Sequence, residues 1–295
     1  MRLGAFQIQE PVPEVKAPYV LASLRPWVDV GSVGTLVLGR LERHFGAQEL
    51  GRLRRPGVFF DFTRYRPTVL MKEGQREVSV PNTIVNYARG PGGHDLLFLH
   101  MLEPQMFGEA YVESVQKVMG HFGAQRYCLL GSMYDAVPHT RPLLVTGSAL
   151  GGQVEQEFKR VQLESSTYQG PTTITMLIAR EAPKRGVETM SLIVHLPQYV
   201  QLEEDHAGEA RVLEALCTIY GLPQDLVDAK EGEAQYKEIS RAVESNPQVR
   251  TVVKQLEANY DSEHRRAAEQ GGEPPPLSPE IERFLRDIDK GFRGN

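Results

Sequence analysis

The chain has 295 residues, 41% of them hydrophobic and 24% charged, enough apolar material for one large folded core, or a core with an extension, and too much for disorder throughout. A formal charge of −5 and a pI near 6.0 provide no basic field for tracking phosphates, so no nucleic-acid partner is expected, whereas a small anionic ligand stays open. No apolar stretch follows a basic start and no run of about 18 apolar residues occurs, so neither a signal peptide nor a membrane span is expected, and the protein is placed in the cytoplasm.

In chain order, residues 19–24 read as extended. Residues 32–45 read as a helix, because Val33, Leu36, Val37, Leu41 and Phe45 recur at helical spacing, with Ser32 as the N-cap and Gly46 as the terminator. Residues 57–63 read as a strand, and residues 68–72 and 75–80 as a pair of strands turning at Glu73-Gly74, which makes part of the sheet antiparallel. Residues 94–102 form a nearly continuous apolar run, followed by a helix carrying Phe107, Tyr111, Val115, Val118 and Phe122, and by a second apolar run at 127–130. That order is a βαβ unit, whose parallel strands need cover on both faces. Further buried strands are expected at 142–146 and 189–196, with helices near 150–160, 172–182 and 206–220, which together make a three-layer α/β/α sandwich with a mixed, mostly parallel sheet.

From Gly221 onward no strand pattern appears and charged side chains dominate. Residues 225–295 carry 15 acidic and 11 basic side chains, so most of the net charge sits there. The expected organisation is a sandwich domain over 1–222 and a helical extension over 223–295 with a proline-rich linker near 271–279. The extension is either a solvated helical face or an arm that binds a protein partner.

Ligands of open α/β sheets bind beyond the carboxyl ends of the strands, which singles out five segments. Asp29-Val30-Gly31-Ser32-Val33-Gly34 is a glycine turn opening a helix, read either as an anion cradle or as a capped start with close packing. Glu103-Pro104-Gln105 sets a carboxylate after an apolar strand, as a general base or as a charge favoured by a helix dipole. Pro138-His139-Thr140-Arg141-Pro142 presents an imidazole beside a guanidinium between two prolines, read either as a site or interface or as a loop whose His and Arg bond backbone carbonyls. Tyr168-Gln169-Gly170-Pro171-Thr172-Thr173 and Pro197-Gln198-Tyr199 are site segments or turn chemistry with a buried tyrosine.

Other chemistries are set aside. Gly131-Ser132-Met133 and Gly147-Ser148-Ala149 lack the GxSxG elbow, the eight histidines form no HxxxH pair, and neither a P-loop nor a strand-following GxGxxG occurs, so no metal and no cofactor are expected. Cys128 and Cys217, with no CxxC pair, read as core thiols in a reducing compartment.

Taken in order, the glycine turn at 29–34, Glu103-Pro104-Gln105, Leu130-Gly131-Ser132, the PHTRP string at 138–142, the segment 168–172 and Pro197-Gln198-Tyr199 resemble the proteasome assembly chaperone 2 family, especially its bacterial branch, across about residues 20–220. The resemblance implies a phosphorylase/hydrolase-like sandwich and a homo-oligomer. Eukaryotic members of that family pair with another subunit and guide assembly of the proteasome α-ring, whereas most bacterial members have no assigned activity. The end Phe292-Arg293-Gly294-Asn295 departs from the hydrophobic-tyrosine-any-residue tail with which some members dock.

Two functions follow from this reading. The first is a self-associating scaffold or assembly-chaperone-like protein, with Asp29, Gly31, Ser32, Gly34, Arg141, Tyr168, Gly170, Thr172 and Tyr199 at a pocket or interface. The alternative is an enzyme on an anionic or nucleoside-like molecule, with Arg141 holding the anion, His139 or Glu103 moving protons, and Tyr168 stacking or donating. An open cleft joining His139, Arg141 and Glu103 would favour chemistry. Burial of those residues under a neighbouring subunit would favour assembly.

Overall fold

A computed structural model describes residues 1–269 of the chain apart from Gln162 and Thr167, and the side chains through Ser262. The expected linker at 271–279 and the chain end at 292–295 lie outside the described residues.

Strands β1 (Arg2–Leu3), β2 (Phe6–Ile8) and β3 (Tyr19–Arg25) precede helix α1 (Val33–Phe45). β4 (Gln48–Leu53), the hairpin strands β5 (Thr68–Lys72) and β6 (Gln75–Ser79), β7 (Ile84–Ala88) and β8 (Leu96–Leu102) follow. Next come α2 (Gly108–His121), β9 (Arg126–Asp135), β10 (Val145–Leu150), α3 (Gly152–Arg160), β11 (Glu164–Ser165) and α4 (Ile174–Glu181). The described chain closes with β12 (Glu188–Pro197), α5 (His206–Tyr220), α6 (Lys230–Ser245) and α7 (Pro247–Glu269).

Among the described residues ten strands form one sheet in the order β1-β2-β4-β7-β8-β3-β9-β12-β10-β11, and β5-β6 form a separate two-stranded sheet. The four central strands, β8, β3, β9 and β12, are parallel, and β9 with β12 makes the longest ladder. Helices α2 and α4 cover one face and α1, α3 and α5 the other, each with its own apolar cluster. This double cover is why the central strands read as continuous apolar runs. The expected βαβ unit is β8-α2-β9, with β3 inserted between its two strands.

Three local expectations change. Residues 57–63 are not a strand: a tight helical turn at Pro56–Val58 lets the adjacent rings of Phe59 and Phe60 both enter the core, which strand alternation forbids. The hairpin at 68–79 is antiparallel but stands apart from the main sheet. The strand expected at 142–146 begins at Val145, after the proline-bounded loop.

The two carboxy-terminal helices fold back on the sandwich. Gly232 lets α6 approach α5 closely, since a Cβ there would stand 2.5 Å from the Ala207 amide nitrogen. Leu256 of α7 is fully buried against Ala136, Tyr199 and Val252. Cys128 and Cys217 are buried and unpaired, and burial pushes the Cys128 thiol up to about 12. Among the described residues no helix is long and apolar enough to cross a membrane.

Candidate functional site

Four of the five segments follow the carboxyl ends of the central parallel strands: 29–34 after β3, 103–105 after β8, 138–142 after β9 and 197–199 after β12. The fifth, 168–172, is the loop leading into α4.

The PHTRP loop and the end of β12 meet directly. The His139 amide donates to the Tyr199 hydroxyl at 2.8 Å, and the His139 Nδ1 lies 2.6 Å from the same oxygen. His139 Nε2 lies 3.1 Å from Ser240 Oγ of α6, whose own proton goes to the Tyr236 carbonyl at 2.9 Å. Nε2 must therefore carry the imidazole proton, and Nδ1 accepts from Tyr199. Burial holds this histidine below its ordinary range, partly offset by the Glu257 carboxylate. Both ring nitrogens are thus engaged in a neutral imidazole.

Helix α7 closes the same loop from above. Thr140 Oγ1 donates to Glu257 at 2.5 Å, Arg141 grips both carboxylate oxygens of Asp261 at 2.8 Å, and the Tyr260 hydroxyl donates to the Pro142 carbonyl at 2.8 Å. Glu257, Tyr260 and Asp261 share one helix face by their spacing. The Asp261 carboxylate, followed by Glu257, raises the Arg141 guanidinium further above its ordinary range. His139 and Arg141 are therefore covered by this chain's own extension.

The glycine turn is a helix start built for close packing. Asp29 Oδ1 accepts from the Gly34 and Thr35 amides at 2.6 and 3.2 Å, and Oδ2 accepts from Thr35 Oγ1 at 2.5 Å. The carboxylate thus occupies the amides that an outside anion would use. Burial raises the Asp29 pKa, against the lowering effect of these bonds. Ser32, the expected N-cap, adopts left-handed geometry and makes no side-chain cap, donating instead to the Glu203 carbonyl at 2.9 Å. A Cβ on Gly34 would come within 2.5 Å of the Leu130 carbonyl oxygen, and one on Gly31 within 2.8 Å of the Asp205 Cβ. Asp205, raised by burial, accepts from Tyr236 at 3.0 Å, and the Tyr236 ring lies 6.2 Å from that of His139, so the glycine turn and the PHTRP loop share α6 as their cover.

Glu103 stands two strands away from β9. Its carboxylate accepts from the Ile174 amide at 3.0 Å and so caps α4, while burial raises its pKa. Tyr168 is exposed and donates to the Pro171 carbonyl at 2.9 Å, within a loop where Gly170 and Thr172 are also exposed. Glu103 makes no described hydrogen bond to His139 or Arg141.

Two further constellations escaped the motif reading. His195 Nδ1 lies 2.6 Å from Asp135 Oδ2 and its Nε2 lies 2.8 Å from Thr146 Oγ1. Thr146 is paired to strands on both sides, so its own backbone is committed to the sheet and the array satisfies the hydrogen bonds of a buried histidine. The second is an open groove of about 450 Å³ at the carboxyl ends of β3 and β8, walled by Arg25, Leu102, Tyr65, Arg66 and the paired hairpin residues Thr68 and Ser79. Arg25, the last residue of β3, and Arg66, on an exposed loop, give the sequence no periodic signal.

The model of the PAC2 family matches residues 23–245. A Mycobacterium tuberculosis protein of unknown function has a similar structure at 22% identity, covering 98% of this chain and 97% of that one, with a TM-score of 0.79. A proteasome-assembly chaperone homologue from the same organism matches at 20% identity, 80% and 99% coverage and a TM-score of 0.70. An archaeal proteasome activator from Pyrococcus furiosus matches at 19% identity, 81% and 98% coverage and a TM-score of 0.61. At these identities the likenesses establish the fold. Among curated proteins none matches.

Proposed function

The chain belongs to the PAC2 family, and from that membership we propose that it is a self-associating, assembly-chaperone-like protein that holds another protein subunit while a larger complex forms. The observation that carries this reading is a set of exposed apolar side chains on the segments that border the groove. Trp27 is 67% exposed, Phe107 63% and Met71 66%, with Val69, Val78 and Met106 also exposed. Trp27 adjoins the groove at Pro26, the hairpin valines follow Thr68 and precede Ser79, and Phe107 lies a few residues beyond Leu102. Exposed apolar surface of this kind marks contact with other proteins.

The fold is shared with a proteasome-assembly chaperone homologue and with an archaeal proteasome activator, so proteasome subunits are the first partner class to test. For self-association, half-buried Met133 and Ile193 and exposed Ser148, on β9, β12 and β10, offer a surface to a second copy. The solvent side of α6 and α7 offers a charged surface to a protein partner. The enzyme alternative would require α7 to withdraw, because Arg141 and His139 are engaged as they stand.

Light scattering on the purified chain should give a mass that is a multiple of 33.1 kDa, and the oligomer should co-elute with proteasome subunits from the same source. A monomer at every concentration, together with thermal stabilisation by phosphate or nucleosides, would turn the reading toward the enzyme.

A further inference from the structure

The groove at the ends of β3 and β8 has a chemistry of its own. Arg25 and Arg66 are both exposed on its walls, and among the described residues no ion pair to a carboxylate holds either of them. The hydroxyl-bearing residues Tyr65, Thr68 and Ser79 and apolar Leu102 complete the lining. The less exposed guanidiniums of the fold are answered, Arg141 by Asp261, Arg126 by Glu188 and Glu157, and Arg40 by Glu209, whereas Arg25 and Arg66 are exposed and open to a partner.

The hairpin beside the groove is also incomplete. Among the described residues β5 and β6 pair only with each other, and all ten of their residues are exposed. The register pairs Val69 with Val78 and Met71 with Arg76, which puts Val69, Val78 and Met71 on one face with no described cover. A two-stranded hairpin alone is marginal in water, and among the described residues both of its edges keep unpaired backbone groups that accept a further strand.

We infer that this groove binds an extended, acidic segment of a partner protein, which adds as a strand along the hairpin, sets its carboxylates on Arg25 and Arg66, and lays its alternate apolar side chains on Val69 and Val78. Charge complementarity selects the occupant: two exposed guanidiniums, Arg66 and an Arg25 that feels the more distant Asp29 carboxylate, call for carboxylates, and the period of two along a strand lets acidic and apolar side chains face opposite ways. The groove is open, which suits a chain passing through it. The inference rests on the reading of the protein as one that holds partner subunits, and it specifies where and by what chemistry.

Fluorescence polarisation would measure binding of a short fluorescein-labelled peptide of alternating glutamate and valine to the full chain, against the same peptide with lysine for glutamate. The acidic peptide should bind, more weakly as salt rises, and the lysine peptide should not. Arg66→Glu and Arg25→Glu should each weaken binding by about tenfold or more while the variants keep the wild-type circular dichroism and light-scattering mass. Of two peptides methylated on one or the other alternate set of backbone nitrogens, the one whose methyls face the hairpin should lose binding, since only every second N–H of an added strand pairs with it. Equal binding of the acidic and lysine peptides, unchanged affinity in both charge-reversal variants, or full affinity of both methylated peptides would each overturn the proposal. Because oligomer mass and co-elution are read separately, loss of peptide binding with both intact removes this inference alone.

Discussion

Nε and Nη2 of Arg141 each donate to one carboxylate oxygen of Asp261 at 2.8 Å, tying helix α7 across the loop that joins β9 to β10. Glu257 adds bonds to Thr140 and Arg141, and Leu256 is the apolar anchor beneath them. Replacing Asp261 and Glu257 together by alanine, a strong helix former, removes the polar clasp without lowering helix propensity. Hydrogen exchange should then speed up across residues 247–262 while β3 and β8 stay as protected as before. Unchanged exchange in that helix would mean that the apolar anchor alone holds it.

The neutral state of His139 gives a second outcome. Tyr199 from the end of β12, Ser240 and Tyr236 from α6, and Glu257 from α7 face this ring, and burial depresses its pKa in the folded protein. Below about pH 6.5 the unfolded chain binds a proton that the folded one refuses, so this contribution to stability is complete above that pH and is lost as pH falls toward the folded-state value. Asp29, Asp205 and Glu103, raised by burial, act with the opposite sign at more acid pH. Comparing urea midpoints of wild type and His139→Gln cancels those carboxylates. The wild-type advantage should shrink steadily from neutral pH to pH 5, and a gap independent of pH would contradict a depressed histidine.

Legibility followed burial. β8, β9 and β12 are covered on both faces and α1, α2 and α5 carry apolar stripes, so each showed in the residue pattern. β4 did not, because its sequence Gln-Glu-Leu-Gly-Arg-Leu carries a register shift between Glu49 and Gly51 that breaks alternation, and β2 is only three residues long. At the candidate site, the meeting of the PHTRP loop with Tyr199 follows from both segments ending neighbouring parallel strands. Its cover by Asp261 does not, since that carboxylate lies 120 residues further along on a helix whose polar face has no local signature. The cap of α1 shows the same limit: Ser32 fits the preference for an N-cap, but the left-handed turn through Gly31 and Ser32 hands the role to Asp29.

Asp29 and Gly34 are separable by substitution. Asp29→Ala removes the carboxylate that caps α1 and should cost about 1–2 kcal/mol in urea unfolding, with Asn costing less because it keeps one acceptor. Gly34→Ala pushes a methyl toward the backbone oxygen of Leu130, which cannot rotate away, and should cost about 1–3 kcal/mol. An Asp29→Ala protein of wild-type stability would return the turn to the role of a ligand cradle.

Arg126 is the strongest single test of the core's polar accounting. Its side chain is 2% exposed, donates to Glu157 Oε2 at 2.7 Å and to Glu188 Oε2 at 2.8 Å, and its guanidinium lies 5.2 Å from the Tyr19 ring centre and 5.5 Å from that of Tyr220. One cation therefore links α3 to the first residue of β12 and to the packing between β3 and α5. Arg126→Met keeps much of the volume but strands two partly buried carboxylates beside each other, so a loss of about 3–5 kcal/mol is expected from urea unfolding. Glu157→Gln leaves the guanidinium bonded to Glu188 and should cost only about 1–2 kcal/mol. If the two substitutions cost the same, the penalty belongs to the Glu157 contact and not to the orphaned charges. A much larger loss for Arg126→Met than for Glu157→Gln identifies the cation as the element that lets two acidic side chains share the amino-terminal edge of the sheet.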